Sequence, residues 1–448
     1  MSLISIADAS TRFVRPSSSV SYNGDGSSWA AATSNGGPGA YKGFPSTLVR
    51  GDTYYFAGGN YGKFVFNTPA SGTTTITVKK ATVGDHGTST GWSDTLGTTQ
   101  AVFSLVSINK DNFIFDGSTG GGPGSWKTGF GVKIDTSNQT SSSAYPGLFL
   151  GELTQSTTSN IVAKHFEVVG NGGDGTANNG GQTNDGVASW GSKNTTISYS
   201  YIHDMGRCIC IFLPSDNVVW EYNYSGAYEY TAAEHSEIAS TNGGNYTFRY
   251  NIFAHVEGTG GLMFNGSNQK VYGNVFFHST NDKTWDYAAN GMIGSKGSNE
   301  PVRGVLFYNN TIYRGYSDST GGGPQIFGFY MGKDSIAKNN LVYGQLPSST
   351  GFDLVTHDYN AFVATSGASL PSELNDIVSS VTTFLSGAEN LDFTPTANTA
   401  PGQDLGAPYN VDMYGNTRTT WTRGAVEYKG STSTTVAPSN AKTSISVH

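Results

Sequence analysis

Between Asn194 and Gly344 one short pattern recurs: an alternating apolar strand that ends near an asparagine, followed by a glycine-rich corner. In register the copies read NTTISYSYIHD, NVVWEYNYSG, NYTFRYNIFAH, NQKVYGNVFFH, GVLFYNNTIYRG and SIAKNNLVYG. The equivalent positions are Ser200, Asn223, Asn251, Asn274, Asn310 and Asn340, in steps of 23, 28, 23, 36 and 30 residues. Repeats of roughly 20–50 residues mark solenoids and related arrays. A shortest step of 23 suits one coil of a parallel β-helix, the longer coils carrying insertions. An amide at one point of every coil predicts a stacked ladder in which each side chain hydrogen-bonds the next coil and the corner backbone. The expected fold class is all-β, a single-stranded right-handed parallel β-helix with loop insertions on one side.

Composition agrees with stacked short strands and tight corners. Of 448 residues only 13% are charged, with 60 Gly, 25 Tyr and 24 Phe. Solenoids grow along one axis, so this length is compatible with one elongated domain. Four segments are expected: an N-terminal segment and cap (1–62), the β-helix (63–345), C-terminal coils with a closing segment (346–430) and a flexible tail (431–448). A net charge of −8 lacks the basic face that nucleic acid requires. No run of about 18 apolar residues is present, so no membrane span is expected. Cys208 and Cys210 stand two apart on a predicted strand, which disfavours a mutual disulfide. The opening MSLISIADAS has no basic-then-apolar signal pattern. The expected location is extracellular or on a virion surface, reached after removal of a signal or by release inside a virus particle.

Early coils are expected at KFVFN, TTTITVKKA, AVFSLVSI and NFIFDGSTG, and regular coils restart at NIVAKHFEVVG. Each central coil carries a further strand: DGVASW, RCICIFL, HSEIAS, GLMFN, GMIGSK and IFGFYMGK. Placing Val187, Ile209, Ile211, Ile238, Leu262 and Phe264 inward puts Asp185, His235, Glu237 and Lys296 outward as a polar stripe. Insertions after Asn223, Asn274 and Asn310 fall between the same two strands and should build walls on one side. They bring Tyr228, Tyr230, Trp285, Tyr287 and Tyr316, whose rings suit stacking on sugars.

Titratable residues concentrate in three places. Glu234, His235 and Glu237 are the densest cluster, and a carboxylate beside an imidazole can hold it as a general base. His203, Asp204 and Arg207 bring an imidazole, a carboxylate and a guanidinium into one tight corner. His203, His255 and His278 follow the ladder by three or four residues and are expected to share a corner. Coils about 4.8 Å apart would also set Asp185 and Asp204 at a separation within the range of glycosidase carboxylate pairs. The catalytic candidates are therefore His235, Glu237, Asp204, His203 and Arg207. Substrate contacts are expected from Tyr228, Tyr230, Trp285, Tyr287 and Lys296.

GDGSSW followed by RGDTYYFAGGNYG resembles the opening of right-handed parallel β-helix proteins of the pectate-lyase-like superfamily. The step from Gly415-Asn416 to Gly424-Ala425-Val426-Glu427-Tyr428 resembles the closing segment of many bacterial β-helix proteins. Residues 235–277 resemble the central coils of polysaccharide lyase family six, whose acidic residue, linked to calcium in some members, matches Glu237. That family's lysine base would fall at Asn242 and its arginine near Phe264, so the resemblance supports the fold and argues against that mechanism. Calcium is the metal that Asp185, Glu237, Asp174 and backbone carbonyls would suit. Two function classes follow. One is a protein that binds and degrades an extracellular or cell-surface polysaccharide, as a lyase or a hydrolase. The other is a non-catalytic virion protein (tail-spike, tail-fibre or capsid decoration) or adhesin, for which a homotrimer is expected.

Overall fold

The computed structural model describes residues 9–430 apart from 140–145, 152–156, 171–184, 206, 229–236, 255–259, 280–290, 296–301, 316–324, 329–330, 333, 346–349, 367–372 and 381–383. The described strands pair in parallel with the equivalent strand of the next coil, and three stacks result, here called sheets A, B and C. Sheet A runs from Thr53–Phe56 through Thr158–Lys164, Ser192–Ser198, Thr247–Arg249 and Lys270–Tyr272 to Thr356–Asp358. Sheet B runs from Val132–Asp135 through Tyr201–Met205, Tyr224–Tyr228 and Val275–His278 to Ile377–Ser379. Sheet C contains Leu148–Leu150, Val187–Ser189, Glu237–Gly244, Gly260–Asn265 and Ile293–Ser295. The strand Cys210–Glu221 turns a corner within itself, pairing first in sheet C and then in sheet A. The chain therefore winds C to A to B and back to C, which is the expected parallel β-helix. No helix among the described residues is long and apolar enough to cross a membrane.

The interior is filled by rows of apolar side chains, one per coil, such as Ile197, Trp220, Phe248, Val271 and Phe307 on sheet A. Each row repeats at the strand spacing of about 4.8 Å. Burying such a side chain contributes about 1.5–3 kcal/mol, so the repeat accumulates stability along the axis.

The amide ladder stands at the A-to-B corner and is longer than the sequence pattern. Asn223, Asn251, Asn274, Asn310, Asn340 and Asn360 are all fully buried. The backbone N–H of each donates to the Oδ1 of the next, from Ser200 onward. Each Nδ2 donates back to a strand carbonyl, as Asn274 does to Phe248 at 2.9 Å. Asp376 ends the column, its Oδ1 accepting the Asn360 N–H at 2.7 Å.

One residue before the ladder, the backbone lies in the left-handed region, at φ 52 for Tyr199, 54 for Tyr222 and 58 for Tyr250. This conformation is costly for a bulky side chain. It is offset by an external stack of His165, Tyr199, Tyr222 and Tyr250, with successive ring centres 5.0, 4.9 and 5.1 Å apart. The faces of these rings are engaged with one another and are not available to a ligand.

The outer face of sheet B is covered. Tyr224, Ile252, Val275, Phe277 and Leu341 pack against Phe384, Leu385, Phe393, Met413, Ala425 and Val426 of the C-terminal segment. Gly424 is required where its N–H donates to the Asn339 carbonyl, since a Cβ there would lie 2.8 Å from Thr311 Oγ1. The segment is held in shape by Asp412 and Glu427, which accept four backbone and side-chain donors each. At the other end, Asp25 accepts from Ser27 and Gly39 to close the GDGSSW turn.

Candidate functional site

The B-to-C connection is the variable corner of each coil. Strands Phe166–Val169 and Val187–Ser189 flank residues 170–186, and Tyr224–Tyr228 and Glu237–Gly244 flank residues 229–236. Between these two coils the same corner is made by residues 206–209 alone. This short corner carries Arg207; His203 and Asp204 end the strand that enters it, and Asp185 and Glu237 stand beside it on the neighbouring coils.

Asp185, Cys208 and Glu237 occupy one register row at the start of sheet C, two residues before Val187, Cys210 and Ala239. They do not form an outward stripe: Asp185 is 3% exposed and Glu237 6%. The expectation of outward carboxylates fails because strict alternation stops where the chain turns. Ile209 and Cys210 are consecutive and both belong to the interior, as do Ile238 and Ala239. Cys210 and Phe212 are the inward residues of their strand, and Ile211 falls instead in the row of Ala188, Ser240 and Met263.

Arg207 grips Asp185 with two parallel hydrogen bonds, Nε to Oδ1 at 2.9 Å and Nη2 to Oδ2 at 2.5 Å. The Cys208 N–H also donates to Asp185 Oδ1 at 3.2 Å. The Cys208 thiol donates to Glu237 Oε2 at 3.1 Å. Burial first, then the charges of Glu237 and Asp185, push that thiol well above its ordinary pKa. It is a hydrogen-bond donor here and not a thiolate nucleophile. Both cysteines are free, as their spacing predicts.

These donors do not fit calcium. Both oxygens of Asp185 face a guanidinium, which a divalent cation would have to displace, and Glu237 is engaged by a protonated thiol. No group of three His, Cys, Asp or Glu side chains able to hold a metal occurs among the described residues.

On the adjoining end of sheet B, His203 is clamped by two carboxylates. Its Nδ1 lies 2.6 Å from Asp204 Oδ2 and its Nε2 lies 3.2 Å from Glu167 Oε1. The ring stacks on Tyr201 at 3.8 Å. Burial alone would lower the imidazole's pKa, but the hydrogen bonds of Asp204 and then Glu167 outweigh it and hold it above the ordinary value. A carboxylate oxygen at each ring nitrogen favours the protonated imidazole and leaves neither nitrogen free to serve as a resting general base. Glu167 was missed in the sequence; its signal is the register of FEVV against YIHD, which pairs Glu167 with Tyr201 one coil away. His203 and His278 do not form a column. The register sets His203 beside Gly226, and Phe277, not His278, continues the row that contains Ala254.

Arg207 thus pairs with Asp185, while His203, four residues earlier on the adjoining strand of sheet B, pairs with Asp204 and with Glu167 of the preceding coil. Phe264 is fully buried in the interior, and Asn242 stands opposite Asn265 at the end of its strand. His235, Tyr230, Trp285, Tyr287, Lys296, Tyr316, His255 and Asp174 lie outside the described residues, and Tyr228 is described only as the backbone end of its strand.

No protein-family model matches the chain, and no curated protein matches it. Among solved structures the chain is similar to the pectate lyase Pel9A, with a TM-score of 0.45 and 15% identity over 95% of this chain and 98% of that one. It is also similar to the PL6 family alginate lyase AlyGC, as an arginine-to-alanine variant (TM-score 0.35) and unsubstituted (0.30), each 12% identical. Both cover 88% of this chain and 58% of the alginate lyase. The parallel β-helix is established independently by the strand register of this chain.

Proposed function

We propose that this protein acts on an extended polysaccharide, which it binds and cleaves at the B-to-C corner around Arg207. The observation that carries this reading is the concentration of charge there in a chain with few charged residues. Arg207 is positioned by Asp185, and the His203 imidazole at the adjoining end of sheet B by Asp204 and Glu167, beside a short turn that lies between two long connections. A fixed guanidinium suits the negative charge that builds on a uronate carboxylate when the proton beside it is abstracted. His235, two residues before Glu237, is the base of this proposal, and Tyr228, Tyr230, Trp285, Tyr287 and Lys296 are the proposed sugar contacts. Asp185 and Glu237 act as positioning residues, because their oxygens are committed to Arg207 and Cys208.

That same commitment favours a second reading, a glycan-binding virion protein or adhesin without turnover. Incubation with neutral and acidic polysaccharides, followed by assay of new reducing ends and of the ultraviolet absorbance of unsaturated ends, separates hydrolase, lyase and binder. Absence of both binding and turnover across the panel would overturn the proposal.

A further inference from the structure

The edge of sheet A at the C-to-A corner carries a second column of asparagines. Asn112, Asn160, Asn194, Asn217, Asn245 and Asn268 occupy the C-to-A corner in successive coils, all with φ between 51 and 63. The lower part of this column is scaffolding. Asn160 donates to Asn112 at 2.9 Å, Asn194 to Asn160 at 3.2 Å and Asn217 to Asn194 at 2.9 Å. The chain of amides then breaks. Asn245 donates sideways to Asp216 at 2.8 Å, and the Asn268 amide makes no hydrogen bond among the described residues.

At that break the surface forms a groove lined by Asn217, Asn245, Thr247, Asn268, Lys270, Gly304 and Leu306. Lys270 is the groove's charged lining residue, and it is exposed. Arg303 and Lys193, also exposed, stand on the same corner, and none of these three cations forms an ion pair among the described residues. The facing carboxylates are Asp216, held by Asn245, and Asp334 one coil beyond. This cationic excess opposes the chain's net charge of −8.

We infer that this groove is a binding site for an acidic polysaccharide, separate from the B-to-C corner. Amides repeat along the axis once per coil, at about 4.8 Å, close to the length of one sugar residue in an extended chain. The amides and Thr247 meet hydroxyls, and Lys270 and Arg303 meet carboxylate or sulfate groups. The site needs no cleavage elsewhere and would serve to retain the polymer.

The test is affinity electrophoresis of the full chain through gels containing dextran, dextran sulfate or alginate. Wild type should be retarded by the two acidic polymers and not by dextran. Lys270→Glu should weaken that binding at least tenfold, Lys270→Arg should keep it, and Asn268→Gly, which preserves the left-handed backbone, should weaken it severalfold. Lys42→Glu, an equal charge change on the N-terminal segment, should have no effect. Equal loss in Lys42→Glu and Lys270→Glu, retardation by uncharged dextran, or equal binding of a DNA duplex would each overturn the inference. Reducing ends measured on the same samples test cleavage separately, so a silent but retarded protein sinks only the catalytic reading.

Discussion

The inner ladder makes a sharp demand on Asn274. Its Oδ1 accepts the Asn251 backbone N–H at 3.0 Å and the Asn251 Nδ2 at 2.9 Å. Its Nδ2 donates to the Phe248 carbonyl at 2.9 Å and to Asn310 Oδ1 at 3.1 Å. Asn274→Ala removes all four bonds at a site with no exposure and orphans a buried backbone N–H. An orphaned buried donor costs about 1–3 kcal/mol and each other lost bond about 0.5–1.5, so the expected loss is about 4 kcal/mol. Asn274→Asp keeps the shape but sets oxygen against the Phe248 and Asn310 oxygens, and should be worse at neutral pH. Asn194→Gly, in the exposed outer column, removes two amide bonds and should cost about 1 kcal/mol, the low end for two such bonds. Urea unfolding followed by circular dichroism ranks the variants. An Asn274→Ala midpoint no lower than that of Asn194→Gly would refute the ladder argument.

Three further outcomes follow. Arg207→Ala should cost about 2–3 kcal/mol by stripping a buried carboxylate of its two-bond partner, and adding Asp185→Asn should recover part of it in a thermal melt. His203 has a raised pKa in the folded chain, so its stabilisation is complete below about pH 6.5 and lost as pH climbs through the raised value; melting temperature should fall across that window in wild type and not in His203→Gln. Lys80 is buried and donates to the Ala81, Leu96 and Gly97 carbonyls. Lys80→Met should therefore cost about 2 kcal/mol, seen as faster proteolysis of the loop containing Trp92.

What the sequence made legible was whatever repeats locally. The asparagine positions gave the coil length and the ladder because each copy obeys the same corner geometry. The continuation to Asn360 and Asp376 was hidden, since the last steps shorten to 20 and 16 residues and the final acceptor is a carboxylate. The direction of Asp185 and Glu237 was misread because alternation describes a strand and not its first residue after a corner. Partners far apart in the chain were not legible at all. Tyr250 reaches the Val411 carbonyl and Asn309 that of Tyr409, contacts that close the cover over sheet B. Nothing in the apolar pattern of sheet B distinguished a face covered by its own chain from an open one.

Hydrogen exchange of the free chain and the chain saturated with a retained polysaccharide tests the central claim most directly. The account predicts new protection in the peptides spanning 201–213 and 237–244, which frame the Arg207 corner. Protection absent from those peptides, in a chain demonstrably holding the polymer, would contradict it.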